Sequence, residues 1–270
     1  MNAISKAFQK AKAKGNGALV GYIMAGDPKP ELTPKITDTL IKGGVDVLEL
    51  GLPFSDPIVD GPTIQAASVR ALTAGTTPAK VLEIAKQIRQ SHDVPIVIMT
   101  YYNPVFRMGL EKFFNSAKKS KVDGVIVPDL PVEEAADYIK AANKSGIDTI
   151  FLAAPFTSNE RLAKIVECSS GFLYLVSHFG VTGAQSAVED STIQLIKRVL
   201  PFTSSKIPLA VGFGVSKPEH VARIIGAGAD GVIVGSAFIN VIKNCQENID
   251  KLLKELEATA SELKKATEFQ

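Results

Sequence analysis

The sequence contains few cysteines, and their placement excludes two common kinds of site. Cys168 and Cys245 lie far apart, form no CxxC pattern and have no histidine at ligand spacing. Neither a disulfide framework nor a zinc site is therefore expected. No other set of residues has the spacing of metal ligands, so we predict no bound metal. Reduced thiols and a cytoplasmic location follow as expectations.

The sequence also lacks a charge excess and long apolar runs. The sequence has thirty basic and twenty-eight acidic residues, which gives a formal net charge of +2. No basic run is interleaved with aromatic residues, so we expect no nucleic-acid partner. No apolar run approaches the roughly 20 residues that cross a bilayer. Residues 1–17 form a polar, lysine-rich segment that lacks the apolar centre of a signal peptide. Small molecules or another protein remain as the expected partners.

A dinucleotide fingerprint is missing as well, and a different α/β pattern takes its place. No GxGxxG motif follows the first apolar segment, which argues against a dinucleotide-binding fold. Short apolar segments instead alternate with segments of helical periodicity. Strands are predicted at 18–24, 45–50, 95–101, 124–127, 149–153, 172–176, 208–211 and 231–234. Helices are predicted at 34–42, 63–74, 79–91, 110–120, 132–145, 159–168, 191–200, 218–226 and 249–265. The eight pairs of strand and helix show no internal domain boundary, which favours a single domain over residues 1–270. Their alternation indicates an α/β fold of the (β/α)8 TIM-barrel type with extra helices.

Glu49 is the carboxylate with the fewest structural explanations. Residues 45–50 read Val-Asp-Val-Leu-Glu-Leu and end at Gly51, as expected of a strand buried on both faces. Side chains two apart share a face, so Glu49 is predicted beside Val45 and Val47. A carboxylate there loses water and gains little in return, so stability alone would not retain it. We therefore interpret Glu49 as catalytic.

Two aspartates follow Glu49 in the next loop. Glu49 and Asp60 together can divide acid and base roles, since burial raises the pKa of one carboxyl while a wetter site keeps the other ionised. Asp60 is equally suited to capping the helix expected to begin near Pro62. Asp56, within Ser-Asp-Pro, fits a turn better than catalysis. The residues alone leave both roles open.

Glycine-rich loops follow the last two predicted strands. Gly212, Phe213 and Gly214 follow one strand, and Gly235 and Ser236 follow the other. Barrels often bind phosphate between these loops, at the N-terminus of a short extra helix, which residues 237–243 could form here. Glycine pairs are also ordinary turn residues. Their occurrence in both loops favours a phosphate site.

The loop after the sixth predicted strand has two glycines and could close over a ligand, or could be a surface loop. It includes His178, which is more typical of a surface residue than of a base. Tyr174 on the preceding strand would need a hydrogen-bond partner if buried, and Asp60 is one candidate; simple packing is the alternative. Three other aromatic residues could form apolar walls for an aromatic substrate or belong to the core: Tyr22, Tyr102 and Phe213.

Taken together, these motifs resemble the tryptophan synthase alpha subunit family. The segments that carry the resemblance are residues 26–28, 48–65, 101–106, 128–131, 180–183, 212–214 and 235–236. They occur in order and span essentially the whole chain. The sequence departs from the family pattern at one place. Many family members carry an arginine two residues before the glycine that corresponds to Gly180, whereas this chain has His178 there, followed by Phe179.

The resemblance implies a retro-aldol lyase of tryptophan biosynthesis that splits indole-3-glycerol phosphate into indole and glyceraldehyde 3-phosphate. It implies that Glu49 moves the protons and that Asp60 accepts from the indole N–H and stabilises the positive charge on the ring. Tyr174 would orient Asp60, Thr182 would help to hold it, and Tyr22 would contact the indole. The residues matching the phosphate-binding region are Gly183, Gly212, Phe213, Gly214, Gly235 and Ser236.

The resemblance also implies a partner. In this family indole passes through a tunnel to a pyridoxal-phosphate-dependent beta subunit, within an alpha2-beta2 heterotetramer. Asp56, Asn103 and Pro131 correspond to loops that face that subunit. The chain has no motif for the cofactor, so pyridoxal phosphate is expected only in the beta partner.

Two other functions stay open on the residues. The chain could be mainly a regulatory binding module that activates a partner enzyme without releasing indole itself. It could also be another phosphate-binding barrel, such as a sugar-phosphate isomerase, although paired carboxylates and aromatic walls favour an indole-sized substrate. Fold analogy does not separate these functions, because barrels support many chemistries.

Overall fold

The central sheet is built from short parallel strands that form a barrel. The computed structural model describes residues 1–176, 185–212 and 214–269, with the backbone alone for 185–190. Within these residues the strands are β1 Ala18–Met24, β2 Val47–Gly51, β3 Ile96–Met99, β4 Gly124–Ile126, β5 Asp148–Ile150, β6 Leu152–Ala153, β7 Leu173–Val176, β8 Leu209–Gly212 and β9 Gly231–Val234. Their order is β5-β4-β3-β2-β1-β9-β8-β7-β6, and the predicted TIM barrel is confirmed.

The extra strand arises where the barrel closes. The strand predicted at 149–153 divides at Phe151 into β5, which pairs with β4, and β6, which pairs with β7. The two ends of the strand order therefore meet in consecutive residues. The amide of Tyr174 donates to the carbonyl of Phe151 at 3.2 Å across this junction. The nine strands thus occupy eight positions around the barrel.

Helices surround the barrel at all of the predicted places. The described α-helices are α1 Ala3–Ala13, α2 Thr33–Lys42, α3 Pro62–Thr73, α4 Pro78–Ser91, α5 Tyr102–Met108, α6 Leu110–Lys119, α7 Ala136–Ser145, α8 Asn159–Cys168, α9 Gln185–Thr203, α10 Pro218–Gly226, α11 Ser236–Cys245 and α12 Ile249–Lys265. Two of them, α1 and α5, were not predicted. No helix in the described part of the chain is long and apolar enough to cross a membrane.

The unpredicted helix α1 closes the N-terminal end of the barrel. Its buried side chains Ile4, Phe8 and Ala11 belong to the same apolar cluster as inward-facing residues of the strands. The ring of Phe8 packs against that of Phe172, with centroids 5.6 Å apart. Because α1 covers this end, ligands are expected to approach from the opposite end, where the strands terminate.

The faces of β2 differ from the prediction at one residue. Val47 lies in the interior cluster, whereas Val45 precedes the strand and packs on the outside, against the backbone of Gly21 and near Phe238. The expectation that Val45 shares a face with Glu49 was therefore wrong, because alternation begins only at Val47. Glu49 is directly opposite Tyr22 in the β1–β2 register.

Aspartates at the N-terminal ends of the strands accept from backbone amides of the neighbouring strand. The bonds are Leu19 N to Asp46 at 2.8 Å, Ile96 N to Asp123 at 2.8 Å and Leu209 N to Asp230 at 2.9 Å. These contacts stabilise the strand register at this end of the barrel, whereas the catalytic residues of such barrels lie at the opposite end.

Candidate active site

Glu49 lies near the C-terminal end of β2 with its side chain buried among the strands. It is 1% exposed, and neither carboxyl oxygen has a hydrogen-bond partner among the described residues. Burial, and after it the negative charge of Asp60, raises the pKa of Glu49 from 4.5 to about 8. Glu49 is thus mainly a protonated carboxylic acid at neutral pH, and it can give up a proton to a group placed beside it.

Asp60 lies in the loop between β2 and α3 and is half-buried. Burial raises its pKa from 3.8 to about 6, while a hydrogen bond from Tyr101 opposes the rise. The Tyr101 hydroxyl donates to Asp60 Oδ2 at 3.0 Å and accepts from the amide of Val59 at 3.1 Å. The helix-cap interpretation of Asp60 was wrong, because Gly61 is the N-cap of α3 and no side chain caps it.

The loop that carries Asp60 is tied to α3. Ser68 Oγ accepts from the amide of Phe54 and donates to its carbonyl, both at 2.9 Å. Gln65 Nε2 donates to the carbonyl of Asp60 at 2.8 Å. The position of the Asp60 backbone therefore depends on the position of the helix that follows it.

Tyr22 and Tyr174 complete the surroundings of the two carboxylates. Both rings are buried, and burial raises the pKa of each phenol well above its usual value. The next largest cause is Asp60 for Tyr22 and Glu49 for Tyr174, so both phenols lie within electrostatic reach of the pair. The hydroxyl bonded to Asp60 is that of Tyr101, where the sequence had suggested Tyr174.

Glycines leave room for these two rings. A Cβ on Gly212, at the end of β8, would lie 2.6 Å from the Tyr174 hydroxyl oxygen. A Cβ on Gly51 would overlap the Tyr22 hydroxyl, and one on Gly235 would lie 3.0 Å from Tyr22 Cδ1. Two glycines interpreted from sequence as phosphate ligands thus also determine where the tyrosines lie.

The predicted phosphate loops flank the start of a helix. Gly214 has a φ of +74°, in the region that favours glycine. Gly235 is the N-cap of α11, and Ser236 is its first residue, so the free backbone amides of this helix face the same end of the barrel. The short helix predicted at 237–243 is α11. Phe213, Gly183, Thr182, His178 and Phe179 lie outside the described residues.

Tyr102 is placed differently from its neighbour Tyr101. Its amide donates to Asp129 Oδ1 at 2.9 Å as α5 begins, and its ring packs against Phe106 at a centroid distance of 6.0 Å. The aromatic residue that packs beside the Asp60 loop is Tyr101, whose ring lies 5.3 Å from that of Phe54. Tyr101 was the main site residue that the sequence reasoning missed, although it stood one position away.

The predicted partner residues are accompanied by exposed apolar side chains. Asp56 and Asn103 are exposed, and Pro131 is half-buried. On the same two segments Ile58 is 82% exposed and Phe106 is 65% exposed. Two large apolar side chains thus lie at the surface on the segments that carry Asp56 and Asn103.

Comparison with known proteins decides the family. The family model described as tryptophan synthase alpha chain matches residues 8–268. A tryptophan synthase alpha chain of Methanosarcina barkeri is 50% identical over 258 residues, which cover 94% of this chain and 96% of that protein. This chain belongs to the tryptophan synthase alpha chain family. Membership implies the alpha-subunit role in tryptophan biosynthesis.

Solved structures agree with this assignment. The tryptophan synthase alpha chain of Legionella pneumophila superposes with a TM-score of 0.87 at 39% identity, covering 99% of this chain and 97% of that one. A chain in the tryptophan synthase complex from Pyrococcus furiosus superposes with a TM-score of 0.84 at 40% identity, covering 92% and 98%. The barrel described above is therefore the fold found in tryptophan synthase alpha chains.

Proposed function

We propose that this alpha chain is a carbon–carbon lyase that cleaves indole-3-glycerol phosphate into indole and glyceraldehyde 3-phosphate by a retro-aldol reaction. The observation that carries the proposal is the pair of carboxyl groups with separated pKa values, about 8 for Glu49 and about 6 for Asp60. Near pH 7 one group is mainly a buried acid and the other mainly an anion. Such a separation assigns acid and base roles within one site.

Glu49 would move the protons. As the neutral acid it donates a proton to C3 of the indole ring, which converts the ring to a protonated indolenine. The resulting carboxylate then removes the proton from the side-chain hydroxyl next to the ring. The O–H electrons form the aldehyde C=O bond, and the electrons of the broken C–C bond restore the aromatic ring. Glu49 ends protonated, so no net proton is consumed.

Asp60 would recognise the ring. Its carboxylate accepts a hydrogen bond from the indole N–H, and its negative charge stabilises the positive charge that develops on the indolenine. Tyr101 keeps Asp60 ionised by donating to it, and Tyr22 supplies an aromatic wall for the indole. Tyr174, buried and close to Glu49, helps to shape the other side of the pocket.

The phosphate would bind at the N-terminus of α11. The free amides there and the positive end of the helix dipole suit a phosphate dianion. Gly212, Gly214, Gly235 and Ser236 are the described residues that we assign to this role. Gly183 and Phe213 complete the set by their family positions, and Thr182 is assigned to holding Asp60.

A beta subunit would accept the indole. The Pyrococcus furiosus structure is that of a tryptophan synthase complex, and we propose an alpha2-beta2 heterotetramer for this chain. Asp56, Asn103 and Pro131 would face the partner, with Ile58 and Phe106 supplying apolar contact area. We assign no cofactor to this chain and expect pyridoxal phosphate only in the beta subunit.

Indole release from indole-3-glycerol phosphate tests the proposal. The purified chain should release indole slowly alone and faster with a beta subunit, and Glu49→Gln should lower kcat by at least about 10²-fold while still binding the substrate. Near-normal turnover in Glu49→Gln would exclude the acid–base role of Glu49. Tight binding of the beta subunit without indole release would favour the regulatory module, and preferential turnover of a simple sugar phosphate would favour an isomerase.

A further inference from the structure

We propose that Asp27 and Arg70 are positioning residues that fix α3 against the end of β1 and thereby place Asp60 relative to Tyr22 and Glu49. The proposal concerns how the proposed lyase site is held together, so its kinetic consequence rests on the proposed function. Its structural consequence can be measured without any reaction.

Asp27 and Arg70 form a bidentate, largely buried ion pair. Arg70 Nε lies 2.7 Å from Asp27 Oδ1, and Arg70 Nη2 lies 2.6 Å from Asp27 Oδ2. The Asp27 side chain is 0% exposed and that of Arg70 is 21% exposed. The free energy needed to desolvate the two charged groups offsets most of the free energy gained from their attraction. Such a pair therefore contributes little net stability. Two parallel hydrogen bonds do, however, define both distance and orientation.

Asp27 is firmly attached to β1. It lies three residues beyond Met24, where the strand ends, and its amide donates to the carbonyl of Met24 at 3.2 Å. The amide of Gly26 donates to Thr33 Oγ1 at 2.9 Å. Gly26 has a φ of +89°, and a Cβ there would overlap Thr76. The carboxylate of Asp27 is thus held in place relative to the strand that carries Tyr22.

Arg70 lies on the helix that holds the Asp60 loop. Ser68, two residues earlier on α3, binds both backbone groups of Phe54, and Gln65 binds the carbonyl of Asp60. A shift of α3 would therefore move Phe54 and Asp60 together. The ion pair joins the two supports of the site: β1, with Tyr22, and α3, with the Asp60 loop.

Hydrogen exchange of the full-length Arg70→Met chain tests whether the ion pair fixes the loop that carries Asp60. We expect faster amide exchange in residues 54–61, where Ser68 holds the amide of Phe54 and Tyr101 holds that of Val59. Arg89→Met is the matched control, because Arg89 and Asp123 form another largely buried ion pair, 11% and 22% exposed, at the opposite end of the barrel. The control should be destabilised but should keep wild-type exchange at 54–61.

Kinetics with the beta subunit test the functional half. Arg70→Met and Arg70→Lys should lower kcat about 10- to 100-fold, since small misplacements of reacting groups have effects of this size. KM should rise by a smaller factor than kcat falls, because Asp60, which contacts the ring, is displaced while the α11 phosphate site is untouched. The acid limb of the pH profile should also move, since the groups facing Asp60, namely Glu49, Tyr22, Tyr101 and Tyr174, would change their distances to it.

Chemical rescue separates positioning from packing. Arg70 lines a surface cavity of about 430 Å³ together with Pro28 and Thr73, so free guanidinium can reach the vacated position in Arg70→Ala. Guanidinium at millimolar concentration should restore part of kcat, whereas sodium chloride should not. If Arg70→Met does not fold, the double variant Asp27→Leu, Arg70→Met is used for the same measurements, because removing both charges is expected to preserve the folded state.

The outcomes are distinct. Wild-type exchange at 54–61 in a folded variant, or wild-type kcat in that variant, would overturn the positioning role. Inactivity of the wild-type chain with its beta subunit would instead contradict the proposed function. The exchange measurement would then still test whether the Asp27–Arg70 pair positions the Asp60 loop.

Discussion

Tyr101 and Asp60 are joined by a hydrogen bond of 3.0 Å in which the phenol donates to the carboxylate. Burial raises the pKa of Asp60 to about 6, and this bond opposes the rise. The same phenol oxygen accepts from the amide of Val59, so Tyr101 holds the loop backbone as well as the carboxylate. One side chain therefore influences both the charge and the position of Asp60.

Tyr101→Phe is expected to move the acid limb of the pH–rate profile. Without the donor, the pKa of Asp60 should rise above about 6, so Asp60 becomes protonated at higher pH and activity near pH 6 falls. A charge-assisted bond to a partly exposed group corresponds to a shift of up to about one pH unit. The basic limb, set by Glu49 near pH 8, should stay in place.

The measurement is kcat/KM for indole release as a function of pH. Tyr102→Phe is the matched control, because its ring packs on Phe106 and no hydrogen bond joins Tyr102 to Asp60 in the described residues. An acid limb that moves equally in both variants, or in neither, would contradict the assignment of Tyr101.

The contrast between Tyr101 and Tyr102 illustrates how far the sequence leads. Alternating apolar segments predicted the barrel, and the strand position of Glu49 predicted its burial. Which of two adjacent tyrosines faces the site depends on where β3 ends and α5 begins, and local pattern does not determine that boundary. Asp60 presents the same difficulty, since its partner Tyr101 is 41 residues away in sequence.

Helix α1 was missed for a different reason. Its lysine-rich composition suggested a polar segment, yet Ile4, Phe8 and Ala11 have the spacing of one helical face and are buried. The helical spacing of these apolar residues was visible in the sequence, but the lysine-rich composition of the segment outweighed it in the prediction. The split of the fifth strand at Phe151 could not be found this way, because it follows from closure of the ring rather than from local preference.

Glu49→Gln is expected to stabilise the protein increasingly as pH rises. The folded-state pKa of Glu49, about 8, lies above the unfolded value of 4.5, so between these values the native state binds more protons. The free energy of unfolding of the wild type therefore falls as pH rises through this window. Glutamine mimics the neutral acid and avoids the penalty, so the variant should gain up to a few kcal/mol at pH 8 and almost nothing at pH 4.5.

Urea unfolding at both pH values measures this difference. Glu83→Gln is the control, because Glu83 is an exposed carboxylate on α4. A stability difference for Glu49→Gln that is constant with pH, or that shrinks toward pH 8, would show that folding does not raise the pKa of Glu49, so that Glu49 is not the buried acid.

Gly212→Ala is expected to lower activity by displacing Tyr174. The new Cβ would lie 2.6 Å from the hydroxyl oxygen of Tyr174, so the ring must shift from its present position beside the carboxylate pair. A loss of about 10-fold or more in kcat/KM is expected from a displacement of this kind. Adding Tyr174→Phe removes the clashing oxygen, so the double variant should be more active than Gly212→Ala alone. Equal activity of the single and double variants would contradict the steric explanation.

Lys264→Met is expected to reduce stability without affecting the chemistry. Lys264 Nζ donates to Asp46 Oδ2 at 2.6 Å and to the carbonyl of Gly17 at 2.9 Å, and it ties α12 to the N-terminal end of the barrel. Removing it leaves a largely buried carboxylate whose remaining hydrogen-bond donor, among the residues that the structure describes, is the amide of Leu19, at a cost of about 1–3 kcal/mol in unfolding free energy. Lys42→Met, which removes an exposed pair with Asp38, should have little effect. Since Lys264 lies at the end of the barrel away from Glu49, kcat should be unchanged; a stability loss no larger than that of Lys42→Met would contradict this role.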